Sequence, residues 1–313
     1  MMRPIVALVA RALPFALASS LPITIPLGLD LYLPVPDSNL LTVDRIALGE
    51  RLFEDRRLSS DGSISCRSCH DPRHGFGGST PVAVGVFGRR GARNVPALIN
   101  RGYGRAFFWD GRIASLEEQV LMPIVNPEEM DLSVAEASAR VGLSVDDLSR
   151  ALASYVRTIL SGNSRYDRFL HGDPTSLTSE AQAGLQVFRR SGCQACHVPP
   201  TFTDERFHNT GVAWRPAEQR FQDEGRFLVT GRRGDRGAFK TPTLRDVAGT
   251  APYMHDGSLN TLEAVIDFYD QGGRPNQNLD VEIRPLHLSP ADKHALVAFL
   301  HSLSGTIQAG RSR

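Results

Sequence analysis

Two short segments of the chain each place two cysteines and a histidine in the pattern C-x-x-C-H. Cysteines three residues apart on a helical turn project to the same side, where two thiols can form thioether bonds to one flat haem ring. The next histidine can place its imidazole under that ring, and the pattern is the attachment signature of c-type haem. The motifs therefore predict two covalently bound haem c groups, with the two histidines as proximal iron ligands. Their residues are Cys66, Cys69, His70, Cys193, Cys196 and His197.

Two other kinds of site use cysteine pairs, and both fit this pattern less well. The pairs of a four-cysteine zinc site usually lie within ~15–20 residues of each other, whereas Cys69 and Cys193 are far more widely separated. A thiol redox pair needs no histidine at the next position, and here that histidine occurs twice. All 4 cysteines belong to the motifs, so none remains for a disulfide bond.

Composition and charge set broad limits on the class of protein. With 313 residues, of which 41% are hydrophobic and 22% charged, the chain can form one large or two modest globular domains. The formal net charge of +1 gives no indication of a nucleic-acid partner.

The first 18 residues predict a secretory signal peptide, residues 1–18. They combine Arg3 with an apolar run and the small-residue segment ALA. Arg11 interrupts the run, and an uncleaved membrane anchor is the alternative, although the run is short for spanning a bilayer. No other segment is apolar enough to cross a membrane. We therefore expect a periplasmic protein that is not an integral membrane protein, in agreement with the assembly of haem c outside the cytoplasm.

A helical pattern around the motifs occurs twice. A short helix ending in an apolar pair precedes each motif, in IALGERLF and in AQAGLQVF. An amphipathic helix follows far downstream of each, over residues 145–162 and 289–305. Asp146 and Ser289 are the expected N-caps of these later helices.

This repeat, with little strand-like alternation elsewhere, predicts a mainly α fold. Each unit consists of a helix, a C-x-x-C-H motif, loops over the haem and a closing helix. We expect two tandem cytochrome c-like domains, residues 40–165 and 166–313, each with one covalent c-type haem.

Two further segments carry a resemblance to a known family. FFWDGRIASLEEQVLMPIVNPEEM, residues 107–130, and FKTPTLRDVAGTAPYMHDGS, residues 239–258, resemble the bacterial di-haem cytochrome c peroxidase and MauG superfamily. The resemblance extends over about residues 40–305. Within the superfamily, the sequence is most similar to the MbnH branch, the methanobactin-associated di-haem enzymes. It implies a peroxide-reactive haem in the N-terminal domain and an electron-transfer haem in the C-terminal domain.

The resemblance also implies how the first haem is used. In the peroxidases a loop histidine can cap this haem, and the matching position here is Val86. His74 lies too close to His70 to reach the opposite face easily, so we interpret it as a local loop histidine. The first haem is then five-coordinate or capped by water. The family's catalytic pair matches Gln119 and Glu129, and a positioned carboxyl can move the proton that O–O cleavage needs.

The distal ligand of the second haem has two candidates. Met254 is a possible thioether ligand, but the position that ligates in the peroxidases matches Tyr269. A tyrosine packed in the core would occupy the same helix stripe, and spacing alone leaves both interpretations open. MauG and MbnH carry tyrosine there, and an anionic phenolate lowers a haem potential whereas methionine raises it. The resemblance therefore implies Tyr269 as the ligand.

Two more sites are implied by the resemblance. Trp109 matches the tryptophan between the two haems, where an indole can relay an electron, although it is also a plausible core aromatic residue. Asn94 and the carbonyl groups of Thr250 and Pro252 match a calcium site between the domains, and hard oxygen ligands suit Ca²⁺.

The remaining histidines and one tryptophan carry weaker expectations. His255 is expected to form hydrogen bonds near the surface between the domains, and Trp214 is either structural or an exit point for oxidation. The others are read as surface or satisfied core histidines: His171, His208, His287, His294 and His301.

The leading hypothesis is a periplasmic di-haem enzyme of the MauG or MbnH type. It would use H2O2 to form a high-valent di-haem state and oxidise a residue of a secreted protein partner, a tryptophan towards kynurenine. The second hypothesis is a cytochrome c peroxidase that reduces H2O2 with electrons from a small c-type cytochrome. A non-catalytic electron carrier is the third, and the Gln119 and Glu129 matches disfavour it.

Overall fold

The computed structural model describes residues 22–310. The predicted signal peptide, residues 1–18, and the last three residues of the predicted second domain lie outside the described residues. Among residues 22–310, no helix combines the length and the apolar character that crossing a bilayer requires.

The described chain is mostly helical, with a few very short strands. The α-helices are α1 Val43–Phe53, α2 Cys66–Cys69, α3 Leu116–Gln119, α4 Met122–Val125, α5 Val134–Val141, α6 Val145–Arg157, α7 Arg165–Leu170, α8 Ser179–Arg190, α9 Phe227–Thr230, α10 Leu262–Asp270 and α11 Pro290–Ser302. The strands are β1 Leu160–Gly162, β2 Phe207–His208, β3 Trp214–Arg215, β4 Arg220–Phe221, β5 Phe239–Lys240 and β6 Thr306–Gln308. They pair as β1 with β6, β2 with β5 and β3 with β4, all antiparallel. The predicted mainly α class is confirmed.

Two helix pairs form the framework, and glycine permits a close crossing in each. Helix α1 packs on α6, and a Cβ atom built on Gly49 would lie 1.9 Å from the carbonyl oxygen of Ala151. Helix α8 packs on α11, and a Cβ atom on Gly184 would lie 1.9 Å from the carbonyl oxygen of Ala295. Any side chain at these positions would separate the backbones, so the same contact recurs in both pairs.

The ends of the two later helices differ from the sequence prediction. Asp146 as the N-cap of α6 was wrong: Ser144 is the N-cap, and its hydroxyl accepts a hydrogen bond from the Asp147 N–H at 3.0 Å. Asp146 lies in the first turn and pairs with Arg150 at 2.8 Å instead. Ser289 is confirmed as the N-cap of α11.

The helices predicted over 145–162 and 289–305 are also shorter than expected. Helix α6 ends at Arg157 because the following residues leave the helix and form β1, which pairs with β6 near the end of the described chain. Helix α11 ends at Ser302 before the same pairing. Strand β1 pairs with β6, which is distant in the chain, as in the pair Leu160 and Gln308. This tertiary pairing overrides the helical pattern of the sequence after Arg157.

The buried apolar residues form two main clusters. One is built from residues between Leu52 and Ile159, and the other from residues between Tyr166 and Leu303. A third, smaller cluster holds the described N-terminal segment on the molecule through Ile23, Leu29 and Leu33. The two main clusters contain one C-x-x-C-H motif each at their edges, through Cys66 and Cys193.

Candidate functional site

Both C-x-x-C-H motifs open onto one continuous cavity of about 1270 Å³. This exceeds the roughly 300–1,000 Å³ typical of a pocket for a single small molecule. Its walls carry residues from both motifs, namely Cys69, His70, Cys193, Cys196 and His197. The space is therefore large enough in principle for two bulky groups side by side.

The first motif forms a single helical turn, α2. The Ser65 N–H donates to the Ser68 hydroxyl at 3.0 Å at its start, and the His70 N–H donates to the Cys66 carbonyl at 2.9 Å at its end. His70 Nδ1 lies 2.9 Å from the carbonyl oxygen of Phe76. A carbonyl can only accept, so Nδ1 carries the proton and Nε2 remains for a metal.

The second motif repeats this arrangement. The His197 N–H donates to the Cys193 carbonyl at 3.0 Å, and His197 Nδ1 lies 3.0 Å from the carbonyl oxygen of Phe202. Phe202 has a φ of 55° and Phe76 a φ of 56°, the left-handed region that phenylalanine rarely adopts. Each backbone is turned so that its carbonyl meets the imidazole.

The electrostatics of both motifs suit a covalently attached haem. Burial lowers the pKa of His70 to about 4 and also lowers that of His197, so both imidazoles are neutral and able to bind iron. Burial raises the pKa of the Cys66 thiol to about 12 and that of the Cys193 thiol to about 11. All four cysteines are free of disulfide bonds. Neutral, unpaired thiols beside a neutral histidine fit thioether attachment of haem c.

Glu129 and Gln119 both line the cavity on the side of the first motif. Burial raises the pKa of Glu129, partly offset by a hydrogen bond that its Oε1 accepts from Asn126 Nδ2 at 2.7 Å. The Glu129 carbonyl accepts the Val86 N–H at 2.8 Å. A carboxyl with a raised pKa keeps its proton to higher pH than an exposed glutamic acid does, which suits it to proton transfer at the wall of the cavity.

The loop that carries Val86 supports Glu129 from behind. Val86 is fully buried, and a Cβ atom built on Gly85 would lie 2.1 Å from the Glu128 carbonyl oxygen. His74 does not line the cavity, and its Nδ1 lies 3.5 Å from a carboxylate oxygen of Asp71. The structure thus places no histidine of residues 71–169 in the cavity wall.

Tyr269 and Met254 both line the cavity on the side of the second motif. Tyr269 lies near the end of α10, and burial, together with the nearby Cys196 and Cys193 thiols, raises the pKa of its hydroxyl. The phenol is neutral in these surroundings, and binding as phenolate requires a compensating cation such as iron. Met254 has a φ of 70° in a tight turn.

Trp109 lines the cavity and is hydrogen-bonded to both halves of the chain. Its indole Nε1–H donates to the Asn94 carbonyl at 2.9 Å, and its own carbonyl accepts the Lys240 N–H at 2.8 Å. The Asn94 N–H donates to the carbonyl of His255 at 2.7 Å. His255 is buried and stacks on Phe239 with 3.6 Å between ring centroids.

The three residues matched to a calcium site also line the cavity. Asn94 Nδ2 donates to the Thr80 and Pro81 carbonyls at 3.1 and 3.2 Å, which leaves the Asn94 Oδ1 for a cation. Thr250 and Pro252 belong to the same wall. The set contains no carboxylate, so a cation there would depend on neutral oxygens.

His208 is satisfied by two carboxylates, as the sequence indicated for this group of histidines. Its Nδ1 lies 2.6 Å from Asp280 and its Nε2 3.1 Å from Asp204. Within residues 22–310, one group of side chains is close enough together to hold a metal ion. It consists of Cys196, Asp204 and His208, whose ligand atoms all lie within 4.8 Å of one another. Since Cys196 is assigned to a thioether, we do not interpret this group as a metal site.

An ion cluster beside Trp109 was missed at the level of sequence. Arg93 donates to Asp110 at 2.7 Å and forms two bonds of 2.7 and 2.9 Å to Asp223. The one indication in the sequence was that the turn FWDG, which contains Asp110, is repeated as MHDG. This repeat does not reveal which residues form ion pairs with Asp110. Trp214, packed edge-on against Phe221 at 4.9 Å, is largely buried.

Comparisons with known proteins agree with this geometry. Residues 43–175 match the di-haem cytochrome c peroxidase family, which includes MauG. MauG of Methylorubrum extorquens is 39% identical over 289 residues, covering 86% of this chain and 81% of that protein. The cytochrome c551 peroxidase of Nitrosomonas europaea is 34% identical over 280 residues, covering 84% and 80%.

A solved structure extends the likeness over nearly the whole chain. A MauG-like protein associated with microbial copper homeostasis superposes with a TM-score of 0.81 at 30% identity, covering 94% of this chain and 96% of the other. The chain belongs to the di-haem cytochrome c peroxidase and MauG family of H2O2-dependent oxidoreductases.

Proposed function

We propose that the protein is a periplasmic di-haem c enzyme of the MauG and MbnH type. It uses H2O2 to oxidise a tryptophan of a secreted protein partner towards kynurenine. The observation that carries this proposal is Tyr269 in the cavity wall beside the second motif. We assign residues 40–165 to a peroxide-reactive domain and residues 166–313 to an electron-transfer domain.

Haem c held at each motif would supply the redox chemistry with peroxide. Within the chain, His70 and His197 offer Nε2 to iron because their Nδ1–H groups are held by the Phe76 and Phe202 carbonyls. Such a hydrogen bond fixes the ring orientation and makes the imidazole a stronger donor.

Glu129 is the proton-transfer residue of the first site. Peroxide bound in the cavity must lose a proton from one oxygen and gain one on the oxygen that leaves as water. A carboxyl with a raised pKa, held by Asn126, can do both in turn. Gln119, at the end of α3 in the same wall, orients the bound peroxide by hydrogen bonding.

Tyr269 separates this proposal from an ordinary peroxidase. If Tyr269 and His197 both held the second haem iron, the anionic phenolate would lower the potential of that haem and favour storage of an oxidising equivalent there. Trp109, hydrogen-bonded through Asn94 to the His255 turn, is in a position to relay electrons between the two halves.

The chemistry on the partner balances with peroxide as the only oxidant. Two H2O2 molecules add two oxygen atoms to the indole ring and release two water molecules. Hydrolysis of the resulting formyl group then gives kynurenine and formate. We also propose one Ca²⁺ at Asn94 Oδ1 and the carbonyls of Thr250 and Pro252, since neutral oxygens with retained waters suit this ion.

The second candidate function is a cytochrome c peroxidase that takes electrons from a small c-type cytochrome. Met254 in the same cavity wall favours it, as does the likeness to a cytochrome c551 peroxidase. In that function Met254 would bind the second iron and Tyr269 would be a packing residue.

The experiment first searches the neighbouring reading frames for a secreted protein and then adds H2O2 to the exported protein together with that candidate partner. Peptide mass spectrometry should show oxygen added to one tryptophan of that partner, with no addition when Glu129→Gln replaces the native protein. A parallel assay follows oxidation of a reduced small c-type cytochrome. Rapid oxidation of the cytochrome with an unmodified partner would contradict the proposal and support the second function.

A further inference from the structure

Three charged side chains meet beside the cavity, and two of them, Arg101 and Lys240, line its wall. Arg101 donates to Glu205 through two bonds, Nη1 to Oε1 at 2.6 Å and Nη2 to Oε2 at 3.2 Å. Lys240 Nζ lies 3.3 Å from the same Oε1. The exposed fractions of the three side chains are only 12%, 13% and 9%, in that order. The cluster therefore holds two cations and one anion away from water.

Arg101 is the main counter-charge of Glu205. Besides Arg101, its Oε2 accepts the backbone N–H groups of Arg105 at 3.1 Å and Ala106 at 3.5 Å. Burial by itself would raise the pKa of Glu205, but the charge and hydrogen bonds of Arg101, with smaller contributions from the Lys240 charge and the Arg105 N–H, together lower it to about 2. Glu205 is thus a fully ionised carboxylate whose charge is offset chiefly by Arg101.

Lys240 is left with a surplus positive charge. An ammonium has three donors, and within residues 22–310 Glu205 is its one hydrogen-bond partner. Asp204, the next carboxylate nearby, is occupied by His208 and by the Arg206 N–H. Burial is the largest cause that lowers the pKa of Lys240, to about 8. A buried cation is costly unless a counter-charge reaches it.

The location of Lys240 indicates which anion is suitable. Its backbone N–H is bonded to the Trp109 carbonyl, and its side chain and that of Arg101 line the same cavity as both C-x-x-C-H motifs. Each haem c carries two carboxylates that neither its thioether bonds nor its iron uses. These propionates are the anions that the proposed cofactors would bring into the cavity.

We infer that Lys240, supported by Arg101 and Glu205, binds a propionate of one haem and fixes the edge of that haem beside the Trp109 loop. Lys240 is then a positioning residue, since it acts on the haem periphery and touches no reacting atom. The inference rests on the proposed attachment of haem at both motifs. Its electrostatic consequence is that Lys240 raises the potential of that haem, because it offsets the negative charge of the propionate.

The chain offers a matched control because it contains a second lysine. Lys293 lies on the surface, paired with Asp267 and Asp270 at 2.8 and 2.7 Å. Lys240→Met and Lys293→Met are compared as holoenzymes by potentiometric titration and by resonance Raman spectroscopy of the propionate bending bands. We expect Lys240→Met to lower the potential of one haem and shift its propionate band, while Lys293→Met changes neither.

A second variant should shift the haem potential in the opposite direction, which distinguishes an effect of charge from a general disturbance of the fold. Glu205→Gln removes the anion of the cluster and should raise the potential of the same haem. If Lys240→Met does not yield folded protein, Glu205→Gln alone decides. Unchanged potentials and propionate bands in a folded variant would overturn the inference. Intact mass showing two haem additions establishes attachment beforehand, so a failure of the haem proposal is recognised separately.

Discussion

The two halves of the cavity are built on the same plan but end in different chemistry. In each, a glycine allows two helices to cross closely, and a left-handed phenylalanine presents its carbonyl to the motif histidine. Each half also contains a matching tight turn, closed by the bridge Phe107 to Ile113 in one and Tyr253 to Leu259 in the other.

The difference lies in the residues that these shared elements present to the cavity. At equivalent positions of the two turns stand Trp109 and His255, both connected to the backbone of Asn94. Beside the first motif the wall contains the half-buried acid Glu129, whereas beside the second motif it contains Tyr269. The comparison indicates that one structural plan presents different chemistry to the cavity in its two halves through a few wall residues.

The largest expected effect concerns Glu129, the acid in the cavity wall beside the first motif. Glu129→Gln keeps the size of the side chain but removes the titratable proton, so the reaction with peroxide should slow by roughly 10²–10⁴-fold. Stopped-flow absorption of the diferric protein measures this rate. Glu128→Gln, at the exposed neighbouring residue, is the control and should react normally. Unchanged kinetics in Glu129→Gln would remove this residue from the mechanism.

The next effect concerns buried ion pairs, one in each half. Arg245 and Asp167 are both only 1% exposed and lie 2.5 Å apart. Arg245→Met leaves a carboxylate buried without its partner and should cost about 3–5 kcal/mol in the free energy of unfolding.

The pair in the first half provides the comparison. Arg157 bonds Glu117 at 2.6 Å, but Glu117 is 22% exposed, so Arg157→Met should cost less than Arg245→Met. Urea unfolding followed by circular dichroism measures both, and Arg57→Met at an exposed pair is the control. If the two variants lost the same free energy of unfolding, burial would not determine how much each ion pair contributes.

A smaller effect should be the same in both halves. Gly49→Ala and Gly184→Ala each introduce a methyl group where the facing carbonyl oxygen leaves no room. We expect each to lower the free energy of unfolding by about 1–3 kcal/mol, the usual cost of overpacking. Gly142→Ala tests strain without crowding, since its φ is 71° and open space surrounds it. A stabilising Gly184→Ala would show that the helix crossing is looser than described.

The smallest effect concerns the caps of the two closing helices. Ser144→Ala and Ser289→Ala each remove a hydroxyl that accepts a backbone N–H and should cost about 0.5–2 kcal/mol. Thermal unfolding should show similar losses for both. Asp146→Ala tests the rejected cap and should have less effect than Ser144→Ala; the opposite order would restore Asp146 as the cap.

Much of the framework could be predicted from sequence because its signals are local. The two C-x-x-C-H motifs and the four long helices follow from short spacings and from helical periodicity. The ends of α6 and α11 could not be predicted, since they depend on pairing between β1 and β6, which are distant in the chain.

Beyond the two motifs, the residues of the site could be predicted only through family resemblance. Glu129, Gln119 and Tyr269 were found through family resemblance, and all three line the cavity. The cluster of Arg101, Glu205 and Lys240 was not found, because its members come from three separate segments whose meeting only the fold determines.

The central claim is that Tyr269, and not Met254, is the distal residue that distinguishes the second half from the first. The most direct test is electron paramagnetic resonance and near-infrared absorption of the diferric holoenzyme in Tyr269→Phe and Met254→Leu. We expect Met254→Leu to retain the six-coordinate signal of the second haem and Tyr269→Phe to lose it. Loss of that signal in Met254→Leu, with retention in Tyr269→Phe, would contradict the claim and make the protein a cytochrome c peroxidase.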